Sequence, residues 1–355
     1  HNLSALNISP REYQIDAANK AAKVNRGIIR AATGAGKSLI AALITAKLGK
    51  PTIIYVIGQD LLYQFHKFFS AVFDEEIGIV GDGNCSIKRI NICTVWSVGK
   101  AFNFDTSLFE EDDGKEKEIS KEKFRDIKMM LKTSSVHLLD ECHLAACETV
   151  QDIAHNVKAE HFYGMSASPW RDDGADMIIE SILGNKVVDI PAKLLIQQGF
   201  LVNPIIRFIP VPPYKGSNSS KYQTVYKAYI TDNAERNEII KNAAKQLVKQ
   251  NFKVLILFKN KKHGRNLYKI LSSEINCKLL SGDDDSEVRK LVCDEMKEGK
   301  IDCIIASTIF DIGVDLPILS ALISAGGGKS SVRALQRVGR VIRGYKDKKI
   351  AAVIE

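Results

Sequence analysis

Nothing in the sequence approaches the roughly 20 consecutive apolar residues that a membrane-spanning helix needs. The start, "HNLSALNISP", lacks a secretory pattern. A cytoplasmic protein with no membrane association is therefore expected. Metal-type cysteine pairs are missing too: Cys85, Cys93, Cys142, Cys147, Cys277, Cys293 and Cys303 are scattered without a C-x-x-C. An odd, unpatterned set argues against a disulfide framework and structural zinc, and for reduced thiols. The two halves of the chain share no residue-level repeat. What remains is a globular composition, 45% hydrophobic and 26% charged, in 355 residues, enough for two domains. The chain starts at His and stops inside "KKIAAVIE", which reads as a strand, so a longer parent protein is expected.

Acidic residues thin out along the chain. Residues 1–190 carry 22 basic and 26 acidic side chains, a net −4, whereas residues 191–355 carry 28 and 16, a net +12. A basic half suits a polyanion such as nucleic acid; a solvated Lys-rich surface is the plainer alternative.

Short β-branched runs alternate with helix-length segments, the pattern of parallel sheets with crossover helices. Strands are expected at 27–30, 52–57, 90–95, 136–140 and 162–166, then at 254–258, 278–281, 303–306, 321–324 and 350–354. The reading is α/β, with a first domain at 1–208, a linker at 209–220 ("IPVPPYKGSNSS") and a second domain at 221–355. Tyr222, Tyr226 and Tyr229 fall at helical spacing and are expected to pack on a core, with base stacking as the other use. The charged stretch 105–126 reads as a solvated loop or flap.

"RAATGAGKSL" (30–39) joins a strand to an apolar helix and carries most of a phosphate-binding loop. Thr33, Gly34, Ala35 and Gly36 would turn backbone N–H groups toward an anion, Lys37 would neutralise β- and γ-phosphates, and Ser38 would hold Mg²⁺. Ala31 stands where the usual pattern has Gly. "VHLLDECH" (136–143) ends an apolar strand in two acids. Asp140 suits a Mg²⁺ ligand and Glu141 a base for an attacking water. In "QRVGRVIR" (336–343), Gln336, Arg340 and Arg343 have helical spacing, and the two arginines suit the charge that builds on a γ-phosphate; a contact to a phosphate backbone is the alternative.

In this order the motifs resemble those of superfamily 2 helicases: "REYQ" (11–14), "AATGAGKS" (31–38), "TVWS" (94–97), "DECH" (140–143), "SAS" (166–168), "LILFKN" (255–260), "STIFDIGVDLP" (307–317) and "QRVGRVIR". "SASPWRDDG", "QQGFLVNP" and "KKHGRNL" are similar to the XPB/UvsW-like group, which includes phage branch-migration helicases. The resemblance implies two RecA-like domains with the ATP site in the cleft between them, and ATP with Mg²⁺ driving a motor on forked or branched, partly single-stranded DNA. It also implies residue roles. Arg11 and Gln14 would read adenine, and Gly313 and Asp315 would meet the ribose. His143 would link the acids to Ser166 and Ser168. Thr94, Ser97, Ser307 and Thr308 would grip backbone phosphates. Two departures stand out: Cys142-His143 excludes the DEAD-box RNA class, and Gly58-Gln59 replaces a usual Pro-Thr. An RNA helicase, a restriction-type motor subunit and a phosphate-loop kinase are the rival readings.

Overall fold

The computed structural model describes residues 8–101, 121–170, 174–212, 221–307, 316–327, 331–346 and 348–355. Thr308, Gly313 and Asp315, together with most of the charged stretch, lie outside the described residues. The chain divides into two compact units, His1–Leu194 and Leu195–Glu355.

The first unit is built on strands β1 (Arg26–Ala31), β2 (Thr52–Val56), β3 (Ile77–Gly81), β4 (Asn84–Ser86), β5 (Ile90–Thr94), β6 (Val136–Asp140), β7 (His161–Ser166) and β8 (Lys186–Ile190). They form one sheet in the order β4-β3-β5-β2-β6-β7-β1-β8, parallel except for the β3–β4 hairpin. β2, β5, β6 and β7 are buried along their whole length. A parallel sheet covered on both faces requires that, which is why these strands read as continuous apolar runs. The second unit contains β9 (Asn203–Arg207), β10 (Val254–Phe258), β11 (Cys277–Leu280), β12 (Cys303–Ser307), β13 (Ala321–Ser324) and β14 (Ile350–Ile354), in the parallel order β11-β12-β10-β13-β14-β9. Its core gathers around Ile256, Phe258, Leu267 and Ile305, separate from the first core around Tyr55, Leu139 and Phe162. Among the described residues no helix is long and apolar enough to cross a membrane.

Two expectations are corrected. Residues 203–207, placed by sequence at the end of the first domain, form β9 and pair in parallel with β14 from Asn203↔Ile350 to Arg207↔Ile354. The units therefore part near residue 194, well before the Pro-rich segment, of which 213–220 lie outside the described residues. The Tyr-bearing helix is also shorter than expected. Tyr222–Tyr226 is α-helical, Lys227–Thr231 is a π turn, and Tyr222 is 66% exposed rather than packed on a core.

Candidate active site

β1 runs into a tight turn, with Ala35 N–H donating to Ala32 O at 2.9 Å, and the helix Lys37–Leu48 follows at once. Gly34 (φ 86°) and Gly36 (φ 78°) lie in the left-handed region that side chains resist. At Gly36 a Cβ would also stand 2.5 Å from Gln14 Nε2. Gln14 is buried, and its amide donates to Ala35 O at 2.8 Å while accepting from Arg11 N–H at 2.9 Å. Tyr13 donates its hydroxyl to the same Ala35 carbonyl at 3.0 Å, and Arg11 Nη1 donates to Tyr13 Oη at 2.9 Å. So Gln14 and Tyr13 brace the loop and Arg11 braces both of them; base reading by Arg11 and Gln14 remains a proposal. Tyr13 is a member of the site that sequence reasoning missed. Thr33, Gly34, Lys37 and Ser38 are half-buried on the loop and first helical turn, where helix geometry aims N–H groups at an anion.

β7 lies between β6 and β1: Gly164 pairs with Leu139 on one side and Ile28 on the other. The acid turn, the Ser166–Ser168 turn and the glycine loop therefore leave one sheet edge side by side, the place where parallel α/β sheets bind ligands. Asp140 is buried, and its Oδ1 has no hydrogen-bond partner among the described residues. Glu141 holds φ 56°, a costly conformation for a residue with a side chain and one that concentrates at functional sites. Ser166 Oγ donates to Glu141 Oε2 at 2.9 Å, and Ser168 N–H donates to Ser166 Oγ at 3.1 Å. His143 Nδ1 lies 3.4 Å from that same Oε2. The link from acids to the serine turn, expected through His143, thus runs directly from Glu141 to Ser166, with His143 as a second contact. Ser168 Oγ is buried and, among the described residues, has no hydrogen-bond partner. Gly164 keeps the turn in place, since a Cβ there would stand 2.5 Å from Cys142 Cβ.

The two carboxyls are driven apart. Burial, and then the Glu141 charge, pushes Asp140 up to about 7 against the pull of Lys37 and His143. Burial also works to raise Glu141, but the His143 hydrogen bond, the Lys37 and His143 charges and the Ser166 hydroxyl outweigh it and bring that carboxyl down to about 2. A carboxyl oxygen buried without a hydrogen-bond partner among the described residues, near the Lys37 charge, fits a hard cation carrying a phosphate, which would hold it ionised.

In the second unit, Gln336 and Arg340 lie one turn apart on the helix Ser331–Val341, both half-buried. Arg343 falls beyond that helix, so the expectation of three tips on one helical face holds for two. Its main chain is fixed by a bridge to Leu201, by Val202 N–H donating to Ile342 O at 2.8 Å, and by Lys348 Nζ donating to Arg343 O at 2.8 Å. Lys348 also donates to Pro317 O at 3.1 Å and to Leu319 O. Burial, with the Arg343 charge, lowers the Lys348 ammonium to about 8. Nothing in "YKDKK" marks Lys348 from its neighbours, and sequence reasoning passed over it.

Of the expected nucleic-acid contacts, Ser307 ends β12 opposite Phe258. Thr94 and Ser97 are corrected. They are 3% and 1% exposed, Thr94 caps the helix Val95–Lys100, and its Oγ1 donates to Ser97 Oγ at 2.7 Å. The cap engages the Thr94 hydroxyl as donor and acceptor and Ser97 Oγ as an acceptor.

A phosphate loop and an acid turn one strand apart, on the first of two parallel α/β units, have the arrangement of a phosphate-loop nucleotide site. The family model described as "Type III restriction enzyme, res subunit" matches residues 7–171, and "Helicase conserved C-terminal domain" matches residues 234–345. These two domain matches are consistent with a superfamily 2 helicase of the XPB/UvsW-like group. It is 28% identical to the ATP-dependent DNA helicase uvsW of Enterobacteria phage T4, over 98% of this chain and 68% of the relative. It is 24% identical to the DNA 3'-5' translocase XPB2 of Sulfurisphaera tokodaii, over 98% of this chain and 81% of the relative. A Sulfolobus islandicus filamentous virus protein is also 24% identical, and this chain spans 65% of that protein's length. In fold the chain is similar to S. cerevisiae Dbp5 bound to RNA and ADP BeF3, with a TM-score of 0.67, 15% identity and coverage of 99% of this chain and 85% of that one.

Proposed function

We propose that this chain is an ATP-dependent DNA helicase or translocase, cytoplasmic, acting on forked, branched and partly single-stranded DNA. The observation that carries the ATPase reading is the buried Asp140 oxygen beside a Glu141 whose recorded contacts both fall on Oε2. Ser38 and Asp140 would hold Mg²⁺, which when bound offsets the β- and γ-phosphate charge. Lys37 and the Gly34–Gly36 backbone bind the same phosphates. Glu141, held ionised and pinned at Oε2, presents Oε1 to the attacking water, orients it and takes its proton. Arg340 and Arg343, with Gln336 one turn before Arg340, stabilise the charge that develops on the γ-phosphate. Ser307, with Thr308, grips backbone phosphate, and the +12 of residues 191–355 favours a polyanion. The names of the T4 and S. tokodaii relatives support DNA over RNA, and the preference for branched substrates rests on the motif resemblance alone.

The test is an ATPase assay without nucleic acid and with single strands, duplex, forked DNA, four-way junctions and RNA. Stimulation by DNA, strongest on branched forms and fading as salt rises, is the expected result. Stimulation by RNA alone would overturn the substrate, and hydrolysis indifferent to every nucleic acid would overturn the motor.

A further inference from the structure

The second unit carries an aromatic pair that the nucleotide chemistry does not use. Tyr222 and Tyr226 lie one helical turn apart, with ring centroids separated by 5.9 Å. Their helix passes straight into the π turn Lys227–Thr231, where Asp232 N–H reaches back to Lys227 O at 2.8 Å. Turns of this kind are rare and concentrate at functional sites. Tyr226 is anchored: its hydroxyl donates to the carbonyl of Gly326, two residues past β13. Tyr222 is 66% exposed. Lys259, the first residue after β10, sets its ammonium 5.6 Å from the Tyr222 centroid and 5.8 Å from that of Tyr226. The preceding residue, Phe258, pairs across the sheet with Ser307. Two rings, an exposed cation and a hydroxyl-bearing strand end thus gather where β10, β12 and β13 terminate, the edge at which parallel sheets take ligands.

A fixed ring that braces an exposed one, with a cation beside both, matches what an unpaired nucleobase needs. The ring offers a π-face to the base, and the cation meets the phosphate attached to it. Bases inside a duplex have both faces covered by their neighbours, so only an unstacked base can use such a surface. We propose that Tyr222, braced by Tyr226, is a stacking platform for one unpaired nucleobase of single-stranded DNA, with Lys259 engaging the adjoining phosphate. The proposal rests on the DNA-motor reading and adds to it a contact with the base rather than the backbone.

The experiment measures fluorescence anisotropy of the full chain with two end-labelled probes of equal length, an oligothymidylate and the same sugar-phosphate strand with its bases removed. Tyr222→Ala should weaken oligothymidylate binding about five- to a hundredfold, the range found for loss of one stacked base. Tyr222→Trp should keep wild-type affinity. On the base-free strand, wild type and Tyr222→Ala should bind alike, while Lys259→Gln should weaken both probes and flatten the salt dependence by about one phosphate contact. Circular-dichroism melting of each variant at the wild-type temperature certifies the fold. Wild-type affinity of Tyr222→Ala for oligothymidylate would overturn the platform while leaving the motor reading intact, as would equal losses on both probes. A wild-type chain that binds neither probe nor any forked DNA would overturn both.

Discussion

The first unit fixes Glu141 at its charged end, and the second fixes Arg343 at its main chain. Gln14 and Tyr13 grip the loop at Ala35, and Ser166 grips Glu141, each through a side-chain atom. In the second unit Arg343 is located through its backbone, by Leu201, Val202 and the Lys348 ammonium. Burial explains the contrast. A carboxylate taken out of water needs a bonded partner at its charged end, or it takes up a proton instead. A half-buried arginine keeps its own charge in any setting, so what must be fixed is the point from which its long side chain starts. The halves share a sheet design, yet one places acids to within a hydrogen bond and the other places the roots of cations.

That contrast can be broken from either side. The largest effect is expected in the first unit. Glu141→Gln removes a proton acceptor while keeping shape, so single-turnover hydrolysis should fall by up to about 10⁴-fold with nucleotide affinity retained. Turnover near wild type would remove Glu141 from the chemistry. Next come the cations of the second unit. Arg340→Ala and Arg343→Ala should each slow hydrolysis by about 10³-fold, with a much smaller change in nucleotide affinity. If both variants hydrolyse normally and lose DNA affinity instead, these arginines bind the phosphate backbone. Smaller again is Gly164→Ala, which forces a methyl against Cys142 and should lower unfolding stability by about 1–3 kcal/mol, read from urea denaturation. It should also lower turnover, because the acids sit on that turn.

The smallest effect sharpens the main-chain side of the comparison. Lys348 has a folded pKa of about 8, below the roughly 10.4 of an unfolded lysine. Below the folded value both states carry the proton and the cost of burying the ammonium is constant. Between the two values the unfolded state binds more protons, so stability rises with pH. Urea midpoints of wild type and Lys348→Met, compared at pH near 7 and near 9, should show wild type gaining relative to the variant at the higher pH. A pH-independent difference would show that Lys348 does not titrate with folding.

Strands buried on both faces were legible because burial leaves only apolar runs: "TIIYV", "INICT" and "VLILF" can be little else. β3 and β4 escaped notice because "IGIVGDGNCS" breaks its apolar run with glycines, and β9 because four of its five residues are exposed and the fifth is half-buried. The site was legible as a set of residues and much less as a geometry. Lys37, Asp140, Glu141 and Ser166 could be named from motif order, but the left-handed Glu141 that turns its carboxylate toward Ser166 leaves no mark in "DECH". Arg343 looked helical because i, i+4, i+7 spacing persists after the helix itself ends at Val341. Thr94 and Ser97 looked like phosphate ligands because a cap and a phosphate contact use the same residue types.

The carbonyl of Ala35 has a consequence for binding. Gripped there by both Gln14 and Tyr13, the loop is held in its turned shape by contacts made within the protein itself. A ligand arriving there has little disorder to remove, so most of its contact energy goes into affinity rather than into shaping the receptor.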